Sequence, residues 1–558
     1  MYNSLQQWFR TGQPWIWLNA GAVTISLLLV IGLMGILLVR GLGHFWPAPL
    51  QLVTYTDPQG EELQLLGIRV ERQQVTADQI RNAGLPVPPG VDLLQRQLIK
   101  VGNRDLYGLD FRWVLEYQLS NLHHPRHAVV IQRSEWGNFH GFIRGIQEGG
   151  LLIAEQQPDE NRLWDEVQLR LQRVQLLQRK MRQLEQRDIS AINHQLERLR
   201  LAERRMALRG QTDATRLAAL QLERRNLQAE YQRLEQQLLA IHQPLARDSL
   251  LVQTADGQQL LLPFRNLVSI HQPNNLSLLQ KIRLYLLNLW AFVSEGPREA
   301  NTEGGIFPAL FGTVMMVLIM SVMVAPMGVV AAIYLHEYAR QNWLTRSIRI
   351  AVNNLAGVPS IVYGVFGLGF FVYFVGGGLD RIFFPEALPA PTFGTPGLLW
   401  ASLTLALLTL PVVIVATEEG LSRIPRSVRE GSLALGATQA ETLWRVVLPM
   451  ASPAMMTGVI LAVARAAGEV APLMLVGVVK LAPSLPVDLN APYVHLERKF
   501  MHLGFHIYDV GFQSPNIEAA RPLVYATALL LVLVILVLNL TAIALRNHLR
   551  EKYRALDM

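Results

Sequence analysis

Six apolar runs, each long enough to cross a bilayer, constrain this chain most: residues 15–39, 306–333, 351–376, 397–416, 454–478 and 523–545. About twenty apolar residues traverse a hydrocarbon layer of roughly 30 Å as a helix. Such a helix pairs its own backbone donors and acceptors where no water can. The predicted fold class is therefore an α-helical polytopic membrane protein with six transmembrane helices. Charged residues make up 17% of the chain, so they must be segregated into soluble parts. The first run could be a cleaved signal peptide, but it is long and no small-x-small site follows it, so an uncleaved span is expected. Lysine occurs only six times, and arginine carries most of the basic excess. The arginines flank apolar runs without forming a compact patch with aromatic residues. That pattern reads as membrane loops facing lipid rather than a nucleic-acid surface. The absence of cysteine excludes disulfides, thiolate catalysis and Cys-ligated metals.

Short loops set the expected orientation. Arg340, Arg346 and Arg349 lie between the second and third runs, and Arg423, Arg426, Arg429 and Arg445 between the fourth and fifth. Arg546, Arg550, Lys552 and Arg554 follow the last run, whereas the 377–396 loop holds only Arg381. The 479–522 loop dilutes the bias with Lys480, Arg498, Lys499 and Arg521. Both termini are thus expected in the cytoplasm, and residues 41–300 outside it. Three parts follow: 1–40 with the first span, 41–300 as a soluble insert, and 301–558 as a core of five spans.

The insert alternates in character. Strands are predicted over 50–55, 63–70, 111–119, 128–132 and 139–146, and again over 249–254 and 258–262 around the hairpin signal Asp256-Gly257. Strands on both sides of a helical segment predict one small β domain closed by its two ends. Within the segment at about 160–242, Leu220, Leu227, Leu234 and Ile241 recur every seven residues, with Leu217, Tyr231 and Leu238 as the second line. Val167, Leu171, Val174, Leu177, Met181 and Leu184 make a similar stripe that drifts near Asp188. The sequence Gly210-Gln211-Thr212-Asp213 supplies a turn, which predicts an antiparallel coiled-coil hairpin. It is expected to serve as a spacer or dimerisation rod, the alternative being a sensor or docking arm. Residues 281–293 are amphipathic and carry Trp290, as a helix lying at the membrane surface would.

Chemistry is confined to a few places. No Gly-x-x-x-x-Gly-Lys-Ser/Thr occurs, so the chain carries no phosphate-cradling loop of its own, and no cofactor is expected. No nucleophile elbow appears either. In the loop at 418–452, residues 428–435 predict a short helix ended by Gly436, and 438–447 a second stopped by Pro449. The fifth run carries Arg465 and Glu469, spaced to share one helix face. Ionisable groups in a span are costly and face a bundle interior or an aqueous path. An arginine fork suits an oxyanion; the alternative is a buried pair that fixes helix packing. Glu337 and Arg340 predict a helix-end salt bridge. Pro359-Ser360 and Pro411 are candidate breaks in their spans. His123, His124 and His127, like His502 and His506, lack the carboxylates of a metal site.

Glu430, Gly436, Val446-Val447, Leu448 and Pro449 reproduce the spacing of the EAA signature of ABC importer permeases, with Gly431 and Ser432 in place of its two alanines. The segments Asn301-Thr302-Glu303-Gly304-Gly305, Ile333-Tyr334-Leu335-His336-Glu337-Tyr338, Val358-Pro359-Ser360-Ile361-Val362 and Ala464-Arg465-Ala466-Ala467-Gly468-Glu469-Val470-Ala471-Pro472-Leu473 extend the likeness. Over about 297–558 the chain resembles PstA-type permease subunits of the phosphate ABC importer; the insert resembles that of longer family variants. The resemblance implies the type I importer permease fold in a bacterial inner membrane. It implies a PstC-type permease, a PstB-type ATPase dimer that binds the ATP, and a PstS-type periplasmic phosphate-binding protein as partners. It implies inorganic phosphate as cargo, Arg465 and Glu469 on the substrate path, and Glu430, Gly436, Leu448 and Pro449 in coupling to the ATPase. The alternatives are a permease for another oxyanion, or a membrane-anchored signalling or scaffold protein built on the coiled coil.

Overall fold

Gln13–Gly43 form the first helix, α1, with Pro14 in its opening turn, where a missing N–H leaves no bond unmade. Its apolar surface, including Trp17, Leu29 and Val39, is exposed, as contact with lipid requires. It meets the last helix near its end. A Cβ on Gly41 would stand 3.1 Å from the Tyr525 carbonyl oxygen, so any larger residue would press the two helices apart by a few tenths of an ångström. The computed structural model describes residues 11–57, 59–82, 84–155, 160–210, 213–340, 342–514 and 517–553. Of the sequence-derived expectations, Gln211, Thr212 and Arg554 lie outside the described residues, as do the side chains of Arg550 and Lys552.

A β-rich unit follows. Strands β1 (Leu50–Thr56), β2 (Glu62–Thr76), β3 (Leu93–Lys100), β4 (Phe111–Leu115) and β5 (Leu119–His123) build an antiparallel sheet in the order β4-β3-β2-β1-β5. The single strand expected over 111–119 is in fact two. A tight turn at Glu116–Gln118 redirects the chain, and β5 pairs with β1 at the opposite edge. The second sheet contains β6 (Val129–Arg133), β7 (Asn138–Glu148), β8 (Leu151–Glu155), β9 (Asp248–Gln253), β10 (Gln259–Pro263) and β11 (Leu267–His271). Its order is β10-β9-β7-β6-β11, with β8 also on β7. Since β9 pairs with β7, the chain leaves this sheet, makes its helical excursion and returns to the same sheet.

That excursion comprises α2 (Glu160–Gln183), α3 (Ser190–Leu208) and α4 (Ala214–Ala246). Asp213 caps α4 by accepting from the Thr215 amide at 3.1 Å. Val167, Leu171 and Val174 are buried, but they share a core with Ile131, Phe139 and Leu250 of the sheet. This stripe packs chiefly on the sheet and only in part, through Ile241 and Leu245, against the returning helix α4. A wide turn at Leu184–Ile189 then resets the helix phase, each residue turning the face by about 100°. The drift near Asp188 marks this change. Beyond it Ile192, Leu196 and Leu199 pack against Leu220, Leu227, Tyr231 and Leu234 in an antiparallel helical hairpin. Leu217, expected in the seam, is exposed.

The hairpin rests on the loops of the membrane core. Arg205 of α3 donates to the buried carboxylate of Glu386 at 2.9 Å. His194 bonds the Ala491 carbonyl at 2.9 Å.

Helix α5 (Leu278–Ser294) exposes Leu279 and Trp290 and buries Phe292 against Ile306, the pattern of a helix lying along an interface. The core helices are α6 (Phe307–Tyr338), α7 (Trp343–Leu355), α8 (Ser360–Phe383), α9 (Leu398–Ser422), α10 (Arg426–Ala434), α11 (Gln439–Gly468) and α12 (Ile517–Tyr553). Among the described residues, six helices are long and apolar enough to cross a membrane: α1, α6, α8, α9, α11 and α12.

Several expected boundaries are corrected. The third span begins at Ser360, not 351, because residues 343–355 form the separate amphipathic α7, and Pro359 precedes the new helix. The fifth ends at Gly468, ten residues short of 478. Pro411 does not break α9, which runs through it; the proline is buried among neighbouring helices that support the backbone. Met316, Met320 and Val324 of α6, Leu398 and Leu405 of α9, and Ala462 and Ala466 of α11 form the central packing. Buried Thr404, Thr409 and Thr417 donate to carbonyls one turn back, so their hydroxyls cost little there.

Candidate functional site

Two sites of interest lie at opposite ends of one helix. The first is the loop between α9 and α11. Helix α10 ends at Ala434 and is closed off by Gly436, whose φ of +90° is the left-handed conformation that side chains resist. Thr438 then starts α11: its hydroxyl accepts from the Glu441 amide at 3.2 Å, and the Glu441 carboxylate accepts from the Thr438 amide at 2.9 Å. A second loop helix stopped by Pro449 was expected. The structure corrects this, because the helix continues without interruption to Gly468. A wide turn at Leu443–Val447 explains how: its bonds reach one residue further back, so the amide that Pro449 lacks is not missed.

The four signature residues divide by position. Glu430 and Gly436 are exposed on the loop. Leu448 is buried with Ile333, Leu421, Leu443 and Val447, beneath the end of α6, and Pro449 is half-buried beside it. The loop therefore has an outer face and an anchoring root. Its outer face also exposes Leu435 (91%) and Trp444 (67%), two large apolar side chains that the spacing of the signature does not reveal. Their signal in the sequence is apolar residues interrupting an arginine-rich loop.

The expected Glu337–Arg340 bridge does not form. A wide turn at Tyr334–Tyr338 and an extended Ala339 lead Arg340 away. Glu337 instead meets Arg429 of α10 at 2.9 Å, each side chain 22% exposed. Arg429 also donates to the Leu421 carbonyl at 2.9 Å. One guanidinium thus ties the end of α6, the end of α9 and the loop helix together. Nearby, Arg349 of α7 bonds the Leu335 carbonyl at 3.2 Å and faces Glu418 at 3.4 Å.

The second site is the far end of α11. Arg465 and Glu469 are brought together at 3.6 Å, side chains 37% and 22% exposed. They do not share a helix face as expected, because the helix stops at Gly468 and Glu469 takes an extended conformation, φ −78° and ψ 133°. Ala462, Val463, Ala466 and Ala467 turn inward to the central packing, whereas Leu461, Arg465 and Gly468 occupy the open side. Arg465 thus faces away from the interior of its own bundle. A cation at this position also complements the carbonyl-rich end of the helix. After it, the chain re-enters: Pro472 packs on Gly364 of α8, where a Cβ would lie 2.7 Å from the Pro472 Cα. From Leu448 to Arg465 the helix rises roughly 25 Å.

The histidine groups do other work. His502 caps the short helix Leu503–Tyr508 by accepting from the Gly504 amide at 3.1 Å, and His124 bonds the Leu50 carbonyl at 2.9 Å. Among the described residues, no group of three or more His, Cys, Asp or Glu is placed to hold a metal ion.

The membrane core is similar in sequence to known proteins. Residues 324–555 match the family described as "Binding-protein-dependent transport system inner membrane component". The chain is 33% identical over 259 residues to the Phosphate transport system permease protein PstA 1 of Mycobacterium tuberculosis, covering 46% of this chain and 75% of that one. It is 31% identical over 270 residues to the Probable ABC transporter permease protein YqgI of Bacillus subtilis, covering 47% and 85%. To YqgH of the same organism it is 32% identical over 194 residues; here it covers 34% of its own length and 59% of that relative.

Proposed function

The chain belongs to the PstA-type permeases, membrane subunits of ABC importers, and we propose from this that it forms half of the path by which inorganic phosphate enters the cell. The observation that carries the proposal is Arg465: a guanidinium on the open side of a span, held near Glu469 at 3.6 Å. A second permease subunit, of the PstC type, would close that open side and make it a passage. Within it the planar fork of Arg465 attracts the phosphate oxyanion. The Glu469 carboxylate competes for the same guanidinium, so binding stays weak enough for release.

The ATPase dimer, of the PstB type, docks on the exposed loop around Glu430 and Gly436. Its closure passes through the root at Leu448 and Pro449 into α11. A PstS-type binding protein delivers phosphate at the periplasmic face, on the side of the β-rich insert, and both termini lie in the cytoplasm. ATP hydrolysis belongs to the partner subunit.

Uptake of labelled phosphate by the reconstituted complex tests the role of Arg465. Losing a charge-assisted contact of about 1.5–3 kcal/mol predicts that Arg465→Gln slows transport by roughly tenfold or more, with Arg465→Lys in between. Normal uptake by Arg465→Gln would sink the proposal.

A further inference from the structure

We propose that the cavity where α1 and α12 meet the β-rich unit binds the phosphate headgroup of an anionic phospholipid. The cavity has a volume of about 520 Å³ and is walled by the end of α1, the strand β2 and the start of α12. Arg40, Arg69 and Arg521 enter its lining from these three elements, which are far apart in sequence. All three are exposed, and among the described residues none is paired with a carboxylate. Arg40 leans on Tyr525, its carbon 5.5 Å from the ring centre. Lys100 also lines the cavity but is engaged by Asp110 and Glu303, each at 4.0 Å. Glu71 is the carboxylate of the described lining, so guanidinium charge is in excess. The buried Nδ1 of His271, in the same lining, has no hydrogen-bond partner among the described residues.

The remaining wall decides what kind of anion this is. Phe45, Trp46 and Val70 give it an apolar surface, and Val39 connects it to the outside of α1. That helix is exposed along its whole apolar length, so the cavity opens onto a lipid-facing surface. A small hydrated ion gains nothing from such walls. An amphiphile matches both parts, with its phosphate among the guanidiniums and its acyl chains along α1. Basic pockets beside membrane helices recognise headgroups by this combination of charge and apolar contact. A bound lipid would also fill the wedge between α1, which packs on α12 near Gly41, and the unit it anchors.

The test uses the full chain in its assembled complex, in detergent, with native mass spectrometry counting retained ligand. Phosphatidylglycerol, phosphatidylcholine and inorganic phosphate are offered separately and in competition. The expected result is retention of phosphatidylglycerol in preference to phosphatidylcholine, undisturbed by inorganic phosphate. The triple variant Arg40→Gln, Arg69→Gln, Arg521→Gln should bind it about a hundredfold more weakly, and the matching lysine triple should recover most of the loss. Equal retention of the two lipids by the unmodified protein overturns the proposal without any variant. Displacement by inorganic phosphate overturns it in favour of a free-phosphate site. Undiminished retention by the glutamine triple overturns it as well.

Discussion

The tie between Glu337 and Arg429 gives the most direct measure of how the loop helix is held. Replacing Arg429 by Gln removes a 2.9 Å ion pair and a 2.9 Å bond to the Leu421 carbonyl. At an effective dielectric of about 20, the Coulomb attraction at this separation is of order 5–6 kcal/mol. Desolvation offsets much of it, and with both side chains 22% exposed, solvent screens part of the rest. A net contribution of about 1–2 kcal/mol remains, which corresponds to roughly 5- to 30-fold in a local opening equilibrium. Hydrogen exchange of the α10 amides in the full chain reads that equilibrium directly. Arg429→Gln should therefore speed α10 exchange by that factor while leaving the buried centre of α9 unchanged. Glu337→Gln should do nearly as much, and the double variant little more than either alone. Simple additivity of the two, with a coupling below about 0.3 kcal/mol, would refute the idea that one bridge holds the loop to α6.

Three further outcomes are expected. A Cβ on Gly436 would meet nothing within 4 Å, so Gly436→Val should cost only the backbone strain of φ +90°, about 1–2 kcal/mol, and Gly436→Asn less. Limited proteolysis of the loop would report it, and equal cleavage of the Val variant and the parent would contradict the account. Arg205→Ala leaves the Glu386 carboxylate, 3% exposed, without its cation; exchange across α3 should rise by the equivalent of about 1–3 kcal/mol, and an unchanged α3 would mean the hairpin is held elsewhere. His140 is fully buried, and burial together with the Lys100 ammonium holds its imidazole down to about 3. Its folded value lies below the unfolded one near 6.5, so this contribution to stability is full above pH 6.5 and is lost as pH falls toward 3. Between pH 7 and 5 the β7 region should lose about 2 kcal/mol, seen as exchange in excess of the intrinsic rate change; a His140→Gln variant with the same pH slope would refute this.

The spans were legible because about twenty uncharged residues have few other uses, and the loop because glycine and proline act locally. Legibility ended where geometry depends on partners distant in the chain. Glu337 lies three residues from Arg340, yet a wide turn sends it to Arg429, 92 positions on. Val167, Leu171 and Val174 carry a helical period that states which face is buried but not against what; the covering surface is a sheet that includes strands formed 80 residues later. Strands β3 and β11 escaped notice for a related reason. The first mixes Arg96 and Gln97 into its run, and polar residues there are tolerated because Gln73 accepts from Arg96 across the strand pair at 3.0 Å. In the candidate site, the pair Arg465 and Glu469 was visible from composition, but the helix end between them was not. Gly468 has no special φ, and the break follows from the re-entrant packing of Pro472 on Gly364.

Pro449 sits at the junction where a joint would be expected between a surface loop and a membrane span. A proline in an ordinary helix removes one bond and kinks the axis. Here the wide turn at Leu443–Val447 absorbs that defect, so Gln439–Gly468 is one continuous helix. Its neighbours hold it through small side chains. A Cβ on Gly458 would lie 2.7 Å from the Ala416 Cβ, and Ala451, Ala462 and Ala466 are buried along the same helix. Small residues bring the helix axes close without interlocking large knobs, which favours sliding of packed helices over local bending. Under the proposed function, a displacement imposed at Thr438 would be carried along the axis rather than dissipated at a hinge, and would emerge at Arg465. The helix ends just beyond that residue, so the guanidinium sits at the tip of the helix while Glu469 lies on the re-entrant segment whose Pro472 packs against α8. Their 3.6 Å contact is the place where such a displacement must be felt first.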